Sequence, residues 1–135
     1  MANSLYTKAK EKMLSAGIDV LTLNVKAVLV DITDYVADIT TDEFLDDIPA
    51  GARVATSPNL ANKSITGGVF NADNATFSGV SGDESEAIVI YIDTGIEGTS
   101  PLVAYLDTAT GLPVTPNSGD IIIQWDDGAN KIFKL

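Results

Sequence analysis

The chain has 135 residues and a formal charge of -11, from 19 acids against 8 bases, with no Cys and no His. That length suits one domain able to bury a core without disulfides. The missing residue types exclude thiol and imidazole nucleophiles, the Ser-His-Asp triad and nearly every zinc, copper or haem ligand set. An acidic surface without a basic stripe also disfavours nucleic acid.

The charge is uneven. Residues 1–30 carry Lys8, Lys10, Lys12 and Lys26 against Glu11 and Asp19, whereas Asp31–Asp47 and Asp83–Asp107 are acidic runs without a base. Ser4 is expected to cap a short helix carrying Leu5, Ala9 and Met13 on one side, with Gly17 ending it. Residues 1–17 are therefore read as a helical arm on a β body spanning 18–135, in one domain. Lys8, Lys10, Glu11 and Lys12 interrupt any secretory apolar region, and Ile18–Val30 is too short and too polar to cross a membrane. The expectation is a soluble chain made in the cytoplasm.

Leu21–Val30 alternates as a strand, with Leu21, Leu23, Val25, Ala27 and Leu29 facing inward. In the first acidic run, Thr40 and Glu43 have the spacing of a capping box, predicting a further helical turn over Thr41–Asp47 that Pro49 stops. No calcium-loop pattern occurs there or at Asn71–Gly82, so no metal site is predicted. Short strands are expected at Arg53–Thr56, Lys63–Thr66, Val69–Phe70 and Ala75–Val80, with Gly67-Gly68 as a turn. The glycines lack the order of a phosphate cradle. Arg53, the sole arginine, reads as an ion-pair or interface residue.

The centre is Glu86–Thr108. Two apolar runs, Ala87–Ile92 and Leu102–Leu106, flank a Gly-rich turn and end in matching text, Tyr91–Thr94 and Tyr105–Thr108. Both pleat faces of the first run are apolar, predicting a strand covered on both sides. Further on, Asp120–Trp125 and Lys131–Leu135 flank Asp126-Asp127-Gly128, which reads as a hairpin. About eight short strands with little helix predict a mainly β chain, a jelly-roll-like β-sandwich with a short N-terminal helix and one further helical turn.

No pair of carboxylates is set apart for acid–base work, so no catalytic residue, cofactor or metal is assigned and the chain is not expected to be an enzyme. A hydrolase would need Asp93 and Asp107 to share a cleft. A glycan-binding module would need Tyr91, Tyr105 or Trp125 to stack on sugar rings.

Several long stretches, SLYTKAKEKMLSAGIDVLTLNVKAVLVD, DEFLDDIPAGARVATSPNLANKSITGGVFNADNATFSGVSG, EAIVIYIDTG and LVAYLDTATGLPVTPNSGDIIIQWDDGANKIFKL, together resemble a family of small tailed-bacteriophage virion proteins. The likeness covers nearly the whole chain and is most specific at Ile48–Ser57 and in the closing IQWDDGANKIFKL. It implies a structural role in the virion, as a capsid cement or decoration protein outside the shell. The implied partners are the major capsid protein and further copies of the chain, as a homodimer or small homo-oligomer. A tail or neck component is the alternative. Contact surfaces are expected around Leu5, Lys8, Lys12, Arg53, Trp125 and Phe133, with neither nucleic acid nor membrane as partner.

Overall fold

The computed structural model describes residues 3–126 and 128–135. Among the described residues, ten strands and one α-helix follow in order: β1 (Ser4–Leu5), α1 (Thr7–Leu14), β2 (Val25–Val30), β3 (Arg53–Thr56), β4 (Ser64–Thr66), β5 (Val69–Asn71), β6 (Ala75–Phe77), β7 (Ala87–Ile92), β8 (Leu102–Leu106), β9 (Ile121–Ile123) and β10 (Phe133–Lys134). The fold is mainly β and antiparallel. Its strands form sheets of five (β1-β8-β7-β2-β3), three (β10-β5-β4) and two (β6-β9). That division does not by itself make a jelly roll.

β7 is the axis, as its two apolar faces predict. It pairs with β2 from Val25↔Ile92 to Val30↔Ala87 on one side, and with β8 on the other. All six of its residues and all five of β8 are buried. Full burial of an Ile such as Ile88 or Ile90 contributes about 1.5–3 kcal/mol. One hydrophobic cluster extends from Tyr6 to Ile132.

The predicted arm is part of this body. Ser4 and Leu5 extend as β1 against Tyr105 and Ala104, so Ser4 does not cap the helix; Tyr6 stands at that position. Asn3 fixes the junction, its side chain donating to Thr108 Oγ1 at 2.7 Å and accepting the Asp107 N–H at 2.7 Å. Tyr6 and Ala9 are fully buried. The helix ends by a Schellman arrangement in which Gly17 N–H reaches Lys12 O and Ala16 N–H reaches Met13 O. The left-handed residue is Ala16 (φ 61), not Gly17.

Other expectations shift for equally local reasons. Asp19 Oδ1 accepts the N–H groups of Leu21 and Thr22 and bends the chain, so the strand begins at Val25 instead of Leu21, and Leu21 and Leu23, expected to face inward, are exposed. The Thr40–Glu43 capping box is replaced by carboxylates that bind backbone more directly. Asp38 accepts from Thr40 and Thr41, and Asp47 from Glu43 and Phe44, leaving only a 3-10 turn at Leu45–Asp47. Leu45 and Ile48 anchor it in the core. β9 and β10 do not form a hairpin: β9 pairs with β6 and β10 with β5, and Asp127 of the predicted turn lies outside the described residues.

Candidate interaction surface

Most groups able to do chemistry are occupied inside the chain. Asp93 binds Lys26 at 2.7 Å, and this ion pair, with the Gly95 N–H, holds its carboxyl below the usual value. Asp107 follows the other end of the β7–β8 pair, because antiparallel strands put equivalent ends apart. By this register Asp107 falls opposite Ala87, six residue steps from Asp93 or roughly 20 Å at the strand rise, so the two share no cleft. Tyr91, Tyr105 and Trp125 are all buried, and Trp125 Nε1 donates to Asp73 O at 2.9 Å. No ring of the three is free to stack on a sugar.

Arg53 grips Glu97 through both guanidinium ends, at 2.7 and 3.2 Å, and donates from Nε to Ile48 O. The pair holds the Glu97 carboxyl below its usual value. β3, which carries Arg53, is the edge of the five-stranded sheet opposite β1. Lys12 pairs with Glu43 and lies over the Phe44 ring, 5.0 Å from its centroid, while Lys8 pairs with Glu11 at 3.4 Å. Asp31, Asp34 and Asp83 bring carboxylate oxygens within 4.8 Å of one another, a grouping across two acidic runs that the sequence pattern does not reveal. Thr33 holds Asp31 in place through its hydroxyl and N–H, and both bonds lower the Asp31 pKa.

Two open grooves flank β10. The first, about 280 Å³, is apolar and lined by Met13, Ile18, Val20, Ile65, Phe70, Phe133 and Leu135 with Asp19 and Gly68. Phe133 stacks at 5.3 Å on Phe70. The second, about 410 Å³, runs between β1 and the C-terminal segment. Lys10, Lys131 and Lys134 line it, and Asp126 is the one acid among its described lining residues. The two grooves meet at Phe133, which lines both, while Leu135 reaches the apolar groove and Lys134 the basic one.

Of the residues expected at contacts, Leu5 and Phe133 therefore meet in one groove, and Trp125 is buried beside its end with Asn3, Leu106 and Lys131. Lys8 and Lys12 share the helix that supplies Lys10, whereas Arg53 sits apart. Sequence reasoning missed Lys10, Lys131 and Lys134; the net positive balance of residues 1–30 and the lysines of KIFKL were the available signals. Neither a scan against protein-family models nor a search among curated proteins finds a match for this chain.

Proposed function

We propose that this chain is a structural protein of a tailed-phage virion, a capsid cement protein that binds the outside of the major capsid protein lattice and stabilises the shell. The reading rests on the family resemblance of the sequence. The observation that carries it physically is the pair of adjoining grooves, one apolar and one lined by three of the chain's seven lysines, on a body whose charge is -11. Together they offer burial and charge matching to a protein partner, the two ingredients of a specific contact. Jelly-roll-like strand connections and self-association in a small oligomer belong to the same reading.

Cementing in this scheme needs no reaction. Surface buried across a subunit junction, on the order of 1,200–2,000 Å² for a stable contact, opposes separation of the shell subunits. Cryo-electron microscopy of purified particles tests the assignment. Density for the chain over the shell at fixed stoichiometry supports it; density in the tail or neck alone replaces it with the alternative.

A further inference from the structure

We infer that the basic groove is a docking slot for an extended acidic segment of another polypeptide, bound as an added strand along β1 and β10. The sheet registers supply the first part of the argument. Tyr6 N–H bonds to Val103 O, which makes the Tyr6 and Ser4 positions the hydrogen-bonded ones of the β1–β8 ladder. Leu5 falls at the alternate position, so its N–H and C=O point away from β8. On β10, Leu135 N–H bonds to Gly68 O, and Phe133 faces Phe70 in the same phase. Lys134 is then the alternate residue, with its peptide groups turned away from β5.

Leu5 and Lys134 both line the basic groove. β1 and β10 are edge strands of their respective sheets. Open edges of this kind template another strand, and strand addition is an established mode of peptide recognition. The volume, about 410 Å³, lies within the range of roughly 300–1,000 Å³ usual for ligand clefts.

Charge fixes the chemistry of the occupant. Lys10 and Lys134 are exposed and make no ion pair among the described residues. An extended segment with acids at alternate positions would place carboxylates toward these lysines while its backbone bonds the open edges. A second copy is a poor source. Its acidic runs are folded into its own turns and pairs, with Glu43 on Lys12, Asp93 on Lys26, Glu97 on Arg53, and Asp38 and Asp47 on backbone N–H groups.

This inference rests on reading the face as a contact surface but not on its location in a particle, so its test can fail independently of the capsid assignment. The full chain, isotope-labelled, is titrated at low salt with a capped peptide of alternating Thr and Glu, with its Thr-Lys counterpart, and with Thr-Glu peptides N-methylated at alternate residues in either register. Saturable shifts of the Leu5 and Lys134 amides with the Thr-Glu peptide are expected. Loss of affinity by about tenfold or more is expected in Lys10→Glu/Lys134→Glu, and with one N-methylated register only. A Lys10→Gln/Lys134→Gln variant, which avoids new repulsion, should lose part of the affinity while keeping the wild-type amide spectrum elsewhere. The proposal is overturned by absent shifts at Leu5 and Lys134, by equal binding of the Thr-Lys peptide, or by indifference to both methylation registers. Self-association of the chain that the double substitution abolishes would overturn it too, by giving the slot to a second copy.

Discussion

The hydroxyl of Tyr6 donates to the hydroxyl of Tyr35, 2.8 Å away in the core, and the Tyr35 hydroxyl in turn donates a hydrogen bond to Asp42 Oδ2 at 2.8 Å. The direction follows from chemistry: a carboxylate only accepts, so Tyr35 must donate to Asp42 and is left to accept from Tyr6. This relay ties the β1–α1 junction to the first acidic run. Removing its middle member leaves the buried Tyr6 hydroxyl without its acceptor, while Asp42 Oδ2 keeps the Asp38 N–H; removing its end strands no group. Tyr35→Phe is therefore expected to cost about 1–3 kcal/mol and Tyr6→Phe about 0.5–1.5 kcal/mol. Urea denaturation checks the order, and the Tyr6→Phe/Tyr35→Phe double variant should cost less than the two together.

Burial raises the pKa of all four tyrosines, Tyr6, Tyr35, Tyr91 and Tyr105, above the ordinary 10.0. A phenol whose folded pKa exceeds its unfolded one binds more protons in the folded state between the two values. Its contribution to stability is thus complete below pH 10 and declines as pH rises toward the folded pKa. Phenolate absorbance should appear together with loss of secondary structure on alkaline titration. Ordinary ionisation near pH 10 in a chain still folded would contradict this.

Ala16 closes the Schellman turn with φ 61, where its Cβ crowds the following carbonyl. Ala16→Gly relieves that strain and should stabilise the protein by about 1 kcal/mol, less the entropy that Gly adds to the unfolded chain. A rise in Tm is the expected reading. Gly17→Ala gains nothing, since its Cβ would sit 3.3 Å from Lys12 O.

Ser57 extends the β2–β3 ladder by one side chain. Its Oγ accepts the buried Ala27 N–H at 2.9 Å and donates to Pro58 O at 2.8 Å. Ser57→Ala orphans that N–H inside the sheet, at an expected cost of about 1–3 kcal/mol. Amide exchange at Ala27 should accelerate more than at Leu29, whose strand neighbours are unchanged.

The parts of the fold that were legible share a cause. β7 and β8 announce themselves because both pleat faces are apolar over consecutive residues, a local pattern that needs no knowledge of the partner. β1 was hidden because Ser4 and Leu5 extend only where β8 and the Asn3 side chain hold them, which a helix-like spacing of Leu5, Ala9 and Met13 does not register. The pairing of β9 and β10 was hidden for a related reason. Asp-Gly favours a tight turn, yet Ile121–Ile123 finds Ala75–Phe77 and Phe133 finds Phe70, contacts that no local signal encodes. The basic groove combines both difficulties, joining Lys10 near one end of the chain to Lys134 at the other.

The central claim is that this chain acts by clasping a shell from outside, and its location in purified particles tests that most directly. Cryo-electron microscopy should show the β body seated on the outer face of the capsid lattice, at a fixed copy number, with the α1 and β10 face against a shell subunit. Particles carrying the chain only in the tail, or lacking it altogether, would contradict the account.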